Sequence, residues 1–355
     1  MRLKEFQEIL AKESIDACVL LKSNLNKNDS NITYFSNLDL SDFCCLIIYQ
    51  DKPPIVIVPK LEFAKAKRMS YIKNIITLDN LWEQLNSYIK ARKIGINFDC
   101  ISIKEYQKFK NTFPNSKIVD ISTYLINLRK IKTQIEINKI REACKITDEI
   151  IEKCIDNFKK FKTEAAVMEY IESQTKKLGL LNSFQTIVAS GRNAALPHHI
   201  TSKKKLKRGF CVIDFGIKFE NYCSDMTRTL FIGKPSEKEK GLYNLVLKAQ
   251  LKSIKNSKIG VKVSDVEIAC RKILGKYEKY FIHSLGHQIG IDVHEGTFRL
   301  SSKSNDILQK CMVFTIEPGI YINDKLGIRI EDTVLLENIC IPLTKFTKEL
   351  ITINL

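Results

Sequence analysis

Histidine is scarce in this chain: there are five histidines among 355 residues, and all five fall into two short stretches. His283, His287 and His294 lie in "FIHSLGHQIGIDVHE", and His198 and His199 lie side by side in "GRNAALPHH". Histidine binds metal ions and changes its charge near neutral pH. This clustering therefore indicates chemistry in these two stretches rather than scattered packing.

The chain also lacks the segments that direct proteins into or across membranes. The longest apolar run near its start is "CCLIIY", far shorter than the roughly 18–20 residues that a bilayer span needs. The first residues, "MRLKEFQEILAKESID", form a charged amphipathic helix pattern without the apolar core and the cleavage site of a signal peptide. We therefore expect a cytoplasmic protein that has no membrane partner.

Disulfide patterns are missing as well. The eleven cysteines are odd in number, none forms a CxxC pair, and Cys44 and Cys45 are adjacent. Cysteines dispersed in this way are typical of small buried side chains in a reducing compartment. The cysteines therefore argue against a disulfide framework.

The formal net charge of +17 raises the question of a nucleic-acid partner. The densest basic run is "KKKLKR", Lys203 to Arg208, and the remaining lysines are spread along the chain. No aromatic side chains are interleaved with the run to stack on bases. Diffuse positive charge favours solubility and weak nonspecific attraction, so we expect no specific nucleic-acid partner.

The length and the residue pattern predict two domains. A single core rarely grows past roughly 250–300 residues. Up to about residue 120, strand patterns such as "IDACVLL" and "PIVIVP" alternate with helix patterns such as "SIKEYQKFKNTF", which is typical of an α/β domain. A long helix pattern from Lys132 to Phe158 then leads into a mixture of helices and hairpins. We predict an α/β (α+β) fold with domains at 1–125 and 126–355.

The stretch "FCVIDFGIKFENYCSDMTRTLFIG" predicts a hairpin with a turn near Phe219–Glu220. That turn would place Asp214 opposite Asp225 across the ladder. Opposed like charges destabilise a hairpin, and Asp214 lies between apolar residues that indicate burial. A positive charge is therefore expected between the two carboxylates.

A second hairpin is predicted in "CMVFTIEPGIYINDKLGIRIEDTVLL", where a turn centred on Asp324 places Glu317 opposite Glu331. Four buried carboxylates need about four positive charges, which two divalent cations supply. Paired cations also activate water for hydrolysis. Four carboxylates with one imidazole form a hard, mixed oxygen and nitrogen site that suits Mn, Fe, Co or Zn.

These residues stand in the order and context of a known metal site. The stretches that carry the resemblance are "SFQTIVASGRNAALPHH", "VIDFG", "SDMTRT", "FIHSLGHQIG", "VHEG", "FTIEPGIYI" and "GIRIEDT", which together span Ser183 to Thr333. In them the chain resembles the pita-bread metallopeptidases, a group that contains aminopeptidase P, prolidase, methionine aminopeptidase and creatinase. "NITYFSNL" and "RKIKTQIEINKIREA" resemble the N-terminal domain and linker helix of the aminopeptidase P/prolidase branch.

The resemblance implies an N-terminal creatinase/prolidase-like α/β domain and a C-terminal pita-bread catalytic domain with a curved antiparallel sheet. It also implies a set of metal ligands for two cations. Two of the carboxylates would each bind both cations, and a hydroxide between the cations would attack the substrate. The implied ligands are Asp214, Asp225, His287, Glu317 and Glu331, with Asp225 and Glu331 as the bridging pair.

The resemblance assigns further roles around those ligands. Glu317 would also accept the proton, and His198, His283 and His294 would face the substrate, whereas His199 matches no family position. Strand alternation adds supporting residues, because Thr227 shares the face of Asp225 and Arg329 shares the face of Glu331. The family usually has glycine where Gln288 stands, and often a proline shortly after the "HE" where this chain reads "HEGTF". Neither departure affects a metal ligand.

The function that the resemblance implies is hydrolysis of the bond between an N-terminal residue and proline, by a Xaa-Pro aminopeptidase. A Xaa-Pro dipeptidase of the prolidase type is the alternative within the same class. A metal-free homologue that only binds peptides is a third hypothesis, although such relatives have typically lost ligands that this chain retains. Two divalent cations are expected as cofactors, with Mn preferred over Co, Zn or Fe. The expected partners are a peptide or dipeptide with proline in second position and, by resemblance alone, a second copy of the chain in a homodimer.

Overall fold

The computed structural model describes residues 2–23, 29–40 and 42–354. The chain divides into two compact units, Met1–Arg129 and Lys130–Leu355. The expected domain boundary after residue 125 stays a prediction. None of the helices in the described residues is long and apolar enough to cross a membrane.

Within the described residues, the first unit consists of six helices and a six-stranded sheet. Its helices are α1 (Arg2–Lys12), α2 (Ser30–Ser36), α3 (Phe63–Met69), α4 (Leu81–Tyr88), α5 (Ile103–Thr112) and α6 (Ser122–Lys130). Its strands are β1 (Ala17–Lys22), β2 (Cys44–Tyr49), β3 (Ile55–Val58), β4 (Ile75–Thr77), β5 (Lys93–Ile96) and β6 (Lys117–Asp120). The sheet order is β4-β3-β2-β1-β5-β6, with antiparallel pairing of β2 to β1 and β3 and parallel pairing elsewhere.

Both faces of this sheet are apolar, because alternate residues of one strand belong to two separate cores. In β1, Cys18 and Leu20 pack in the cluster that contains α1, α2, α3 and α6 residues, whereas Val19 and Leu21 pack with α4 and α5 residues. Successive side chains of a strand point to opposite faces. The unbroken apolar run "ACVLL" thus produces a sheet covered by helices on both sides, and the predicted α/β layering is confirmed.

The part of the second unit that the structure describes contains four α-helices and several small sheets. Its helices are α7 (Gln134–Asp156), α8 (Glu164–Lys177), α9 (Glu237–Asn256) and α10 (Val263–Leu274). Its first strands are β7 (Leu181–Asn182), β8 (Ile187–Ser190), β9 (Gly209–Phe215), β10 (Ile217–Phe219), β11 (Tyr222–Cys223) and β12 (Met226–Ile232). The later strands are β13 (Gly286–His287), β14 (Arg299–Leu300), β15 (Val313–Ile316), β16 (Gly319–Ile322), β17 (Leu326–Arg329), β18 (Asp332–Leu336), β19 (Cys340–Pro342) and β20 (Thr352–Ile353).

Antiparallel pairing dominates the second unit. The largest sheet has the order β20-β12-β9-β8, and β15-β18-β19 and β16-β17 form two more. Apolar residues of α7 and α8 pack with β9 and β12 in one core, and α9 and α10 pack with β15 to β18 in another. The helices therefore lie against the strands that carry the polar residues singled out above.

The turn of the first hairpin lies one residue later than the sequence predicted. Phe219 pairs with Tyr222, and the two residues between them, Glu220 and Asn221, have positive φ angles of 43° and 70°. Two central residues with positive φ define the type I′ turn, whose twist matches that of paired strands. The turn residues, rather than the apolar pattern, therefore set the register.

This shift changes the strand partner of Asp214. The residue opposite Asp214 is Thr227 and not Asp225, so the predicted direct pairing of the two carboxylates was wrong. A move of two residues along a strand returns to the same face. Asp225 therefore still shares a face with Asp214, and both residues line one cavity.

The register of the second hairpin is the predicted one. Ile316 pairs with Asp332 between β15 and β18, and Gly319 pairs with Arg329 between β16 and β17. The two ladders share one register, which is centred on Asp324, and Glu317 and Glu331 occupy the opposed positions between them. Both carboxylates thus stand where the ladder is interrupted.

Candidate functional site

The predicted site residues converge on a single cleft of the second unit. The cleft is a cavity of about 470 Å³. All of the predicted site residues except Thr227 line it: His198, Asp214, Asp225, His283, His287, His294, Glu317, Arg329 and Glu331. Phe184, Ile187, Pro197 and Val293 add apolar surface to the wall. An apolar wall with convergent polar groups is the usual form of a small-ligand site.

Strand interruptions bring the carboxylates together. Asp214 lies near the end of β9, Asp225 lies just before β12, and Glu331 lies just before β18. Asp225, Glu331 and His287 offer ligand atoms that all lie within 4.8 Å of one another, and all three residues are buried. The cluster therefore has enough donor atoms to bind a metal ion.

Mutual repulsion and burial act on the protonation of these carboxyl groups. Burial, and then the charge of Glu331, raise the pKa of Asp225 well above its usual range. Burial and the charge of Glu317 do the same for Glu331, and burial raises the pKa of Glu317 to about 7. Carboxylates that are crowded in this way need a compensating positive charge to remain ionised.

One carboxylate oxygen of Asp214 and one of Asp225 are buried and have no hydrogen-bond partner among the described residues. Buried polar atoms are normally paired, so such atoms call for an explanation. Oxygen donors of this kind fit divalent cations. The donor set present here therefore fits the divalent metal ions that the sequence implies.

His287 has the orientation and protonation of a metal ligand. Its Nδ1 lies 3.2 Å from the Gln288 carbonyl oxygen, to which it donates a hydrogen bond. Its Nε2 lies 3.5 Å from both an Asp225 oxygen and a Glu317 oxygen. Burial, and then the nearby His294, lower the pKa of His287 to about 3. A neutral imidazole with a free Nε2 lone pair thus points into the carboxylate cluster.

The other two histidines of the opening stretch have different environments. In His283, Nδ1 lies 2.8 Å from the Ser284 carbonyl oxygen and Nε2 lies 3.0 Å from the Tyr321 hydroxyl, so both ring nitrogens are engaged. The His294 ring has no hydrogen-bond partner among the described residues and packs edge-on against His287, with ring centroids 4.2 Å apart. Burial lowers the pKa of His283 to about 4 and also lowers the pKa of His294.

The adjacent histidines of the other stretch are separated by their surroundings. His198 is exposed and lines the cleft. His199 does not line it, and its Nε2 lies 2.9 Å from Glu164, a carboxylate that is fully buried. Only His198 is therefore available to a ligand in the cleft.

Two residues selected by strand alternation support the carboxylates from behind. The Thr227 hydroxyl donates to Glu331 at 2.6 Å. Arg329 donates from Nε to the Thr227 hydroxyl at 3.0 Å and from Nη2 to Asp214 at 2.5 Å. Arg329 thus supplies part of the positive charge that the sequence demands beside Asp214, and it holds two of the carboxylate-bearing strands in register.

Sequence reasoning missed two residues of the site, one that lines the cleft and one that lies behind its wall. Tyr321 is buried and joins His283 to Arg329, whose Nη1 donates to its hydroxyl at 2.8 Å. Arg299 lines the cleft and stands opposite His287 in the β13–β14 ladder. Alternation along β16 and β17 could have pointed to Tyr321, because it faces Gly327 two residues from Arg329. No pattern in the sequence signals Arg299.

Comparison with known proteins decides the family. The model of Metallopeptidase family M24 matches residues 138–338, and that of the Creatinase/Prolidase N-terminal domain matches residues 2–131. The chain belongs to metallopeptidase family M24. It is therefore a hydrolase whose family works with divalent metal ions, and the predicted family, the α/β fold with a pita-bread domain and the peptidase class are confirmed.

Individual M24 relatives cover the whole chain. It is 35% identical to a Xaa-Pro dipeptidase of Pyrococcus horikoshii, over 99% of this chain and 98% of the relative. The crystal structure of the prolidase from Pyrococcus horikoshii has a TM-score of 0.89 and 32% identity, covering 99% of both chains. An X-Pro aminopeptidase from Thermotoga maritima has a TM-score of 0.86 and 31% identity, covering 97% of this chain and 99% of that one.

Proposed function

We propose that this M24 chain hydrolyses the peptide bond between an N-terminal residue and a following proline. The observation that supports this most directly is the cleft in which four carboxylates and the neutral His287 converge. Relatives that match 97% or more of the chain include proteins named Xaa-Pro dipeptidase, prolidase and X-Pro aminopeptidase. Those matches therefore include both units of this chain.

In the proposed site, Asp214, Asp225, His287, Glu317 and Glu331 would hold two divalent cations. When bound, such cations lower the pKa of water and polarise a carbonyl group. Manganese is proposed as the metal because oxygen donors dominate the set, with Co, Zn or Fe as alternatives. Arg329 and Thr227 orient two of the carboxylates.

Replacement of Asp225 by asparagine tests the metal assignment. The change removes one negative charge while keeping the size of the side chain, so we expect the metal content of purified protein to fall from two ions to one or none. Asp148→Asn is a matched control, because Asp148 accepts hydrogen bonds from the backbone of Lys345 and Phe346 outside the cleft. A wild-type protein that binds no metal would favour the metal-free peptide-binding hypothesis.

Four residues of the cleft are proposed to handle the proton and to contact the substrate. Glu317, which lies beside His287, accepts the proton from the attacking water. His198 and His294 have ring nitrogens that are open to the cleft, from which they donate hydrogen bonds to the oxygen that becomes negative. His283 also lines the cleft, but its Nε2 is bonded to the Tyr321 hydroxyl. It can bind a substrate through Nε2 only if that hydrogen bond breaks.

Arg299 favours dipeptides as the preferred substrates. Its Nη1 donates to the carbonyl oxygens of Gly296 and Phe298, and no carboxylate pairs with it among the described residues. In a Xaa-Pro dipeptide the free carboxylate belongs to the proline, so it lies close to the scissile bond. An arginine side chain at the edge of the cleft binds such a carboxylate well. The predicted aminopeptidase activity on longer peptides is the second candidate, and the Thermotoga maritima relative supports it.

Hydrolysis of three peptides in the presence of Mn²⁺ tests both candidates. Ala-Pro is expected to be cleaved fastest, Ala-Pro-Ala more slowly, and acetyl-Ala-Pro not at all. Arg299→Met is expected to raise KM for Ala-Pro more than for Ala-Pro-Ala. Equal rates on acetylated and free peptides would contradict an exopeptidase, and faster cleavage of the tripeptide would favour the aminopeptidase.

The proposed setting is a homodimer in the cytoplasm. All eleven cysteines are free, which suits a reducing compartment. The dimer is proposed on the resemblance alone, and sedimentation equilibrium at several protein concentrations tests it. A monomer at micromolar concentration would contradict the proposal.

A further inference from the structure

A buried ion pair lies behind the loop that carries His294. Lys132 Nζ is 2.6 Å from a Glu295 oxygen, and the two side chains are 1% and 4% exposed. Lys132 lies directly before Thr133, whose hydroxyl caps α7 together with Glu136. The lysine is therefore fixed at its own end by the start of a long helix.

The Glu295 carboxylate closes the loop formed by residues 288–295. Its second oxygen accepts the backbone N–H of Ile291 at 3.2 Å, and the N–H of Glu295 donates to the Gln288 carbonyl oxygen at 2.9 Å. A Cβ at Gly290 would stand 2.4 Å from a Glu295 oxygen, which explains the glycine there. The loop thus folds around this one carboxylate.

Gln288, where the family usually has glycine, adds a second connection. Its side chain is 2% exposed and donates from Nε2 to the Lys130 carbonyl oxygen. The Gln288 carbonyl oxygen also receives the hydrogen bond from His287 Nδ1. Residues 130–132 therefore contact both ends of the loop 288–295, which follows His287 and carries His294.

We propose that Lys132 and Glu295 are positioning residues, which hold His294 in register with the carboxylate cluster. A buried ion pair is a weak source of stability, because the loss of hydration offsets the attraction. Its hydrogen bonds are directional, however, and Glu295 is covalently joined to His294. The inference rests on the proposed function, since His294 has work to do only if the cleft is catalytic.

Three variants of the metal-loaded full chain test the pair: Glu295→Gln, Lys132→Met and the double variant. A small misplacement of a catalytic group costs up to about 100-fold in rate. We expect each single variant to lose about 10- to 100-fold in kcat on Ala-Pro, with KM within about threefold of wild type. Two metal ions per chain should remain bound. The double variant should lose no more than the worse single variant, because the ion pair that the two side chains share is already disrupted in each single variant.

Hydrogen exchange without substrate gives a second readout. The amides of residues 288–295 are expected to exchange at least about 10-fold faster in Glu295→Gln than in wild type, while α9 stays protected. Val246→Ala is the control for stability alone, because Val246 lies in the α9 core and is fully buried. It should lower Tm and leave both kcat and the exchange of the loop unchanged.

The outcomes separate two failures. A wild-type protein that cleaves no Xaa-Pro peptide sinks the proposed function, while the exchange experiment still tests the pair. Wild-type kcat in Glu295→Gln, loss of metal in place of rate, or a loss of kcat in Val246→Ala that matches its loss of stability would each overturn the positioning role. Glu295→Gln keeps the size of the side chain, and it carries the test if Lys132→Met does not fold.

Discussion

The pKa of Glu317 lies close to neutral pH, so its protonation state in metal-free protein responds to pH. Burial raises its pKa to about 7, whereas an exposed glutamate titrates near 4.3. In metal-free protein the folded state therefore holds this proton more tightly than the unfolded state. The stability contributed by the protonated group is fully present below about pH 4.3 and is lost as the pH rises through about 7.

We therefore expect the free energy of unfolding of metal-free wild type to fall, relative to that of Glu317→Gln, between pH 5 and 7.5. Urea unfolding in the presence of a chelator, at three pH values, measures this difference. Addition of Mn²⁺ should reverse the loss, because metal ions bind the deprotonated carboxylates. Parallel pH curves for the two proteins would mean that Glu317 has no raised pKa.

The histidines differ in what surrounds them, and their variants should fail differently. His287→Ala removes a donor from the metal cluster, so metal affinity and activity should fall together. His294→Ala should keep both metal ions and lose about 10²- to 10⁴-fold in kcat, because its ring is open to the substrate. His283→Ala should also keep both ions but lose less, because both of its ring nitrogens already bond to protein atoms.

His198 and His199 are adjacent in sequence and supply a matched comparison. His198→Ala should reduce kcat with metal retained, whereas His199→Ala removes a partner of the buried Glu164 and should reduce Tm more than kcat. Metal titrations set beside steady-state kinetics measure all five histidine variants. If His294→Ala lost metal as readily as His287→Ala, the division of roles would be wrong.

The chain segments next to Asp214 and Asp225 approach each other so closely at Gly216 that only a glycine fits there. A Cβ at Gly216, between β9 and β10, would stand 1.9 Å from the Ser224 carbonyl oxygen, which is backbone and cannot move aside cheaply. That close approach lets the chain leave the ladder just before Asp225. The position of the carboxylate therefore depends on a residue that has no side chain.

Gly216→Ala should lower the free energy of unfolding by about 1–3 kcal/mol or more, because an added methyl group overpacks the crossing. Gly241→Ala, within α9, is the matched control. No heavy atom lies within 4 Å of its added Cβ, and alanine favours a helix over glycine by about 0.5–1 kcal/mol. The free energy of unfolding measured in urea should therefore fall for Gly216→Ala and rise for Gly241→Ala. Equal shifts in the two variants would contradict the packing argument.

For the whole molecule, the net charge of +17 is the dominant long-range property. The charges are spread over many surface lysines, and the basic run near Lys204 lies beside a hollow that also contains Arg192 and Arg208. Arg208 is already paired with Glu239. The surface thus attracts anions without offering a set of base-specific contacts.

We expect two duplex DNAs of unrelated sequence to bind equally weakly, with an affinity that falls at least about 10-fold between 50 and 200 mM salt. Fluorescence anisotropy at four salt concentrations measures both properties. A preference of more than about 1,000-fold for one sequence would indicate specific recognition, which the diffuse charge does not predict.

The sequence by itself predicted nine of the residues that meet in the cleft. The two histidine stretches and the carboxylates of two hairpins were identified by motif and alternation, and the register around Asp324 was predicted correctly. The first hairpin was placed one residue too early, and yet Asp225 remained on the right face. A period of two residues fixes the face of a strand but not its partner, so the face was predictable and the pairing of Asp214 was not.

Only the tertiary structure decided how those residues are held. Arg299 stands opposite His287, Tyr321 joins His283 to Arg329, and Lys132 reaches Glu295 across 163 positions of sequence. Such contacts depend on where separate segments meet, and no local propensity or periodicity records a meeting of that kind. The turn at Glu220–Asn221 shows the same limit at short range, because its backbone conformation, and not its apolar pattern, sets the ladder.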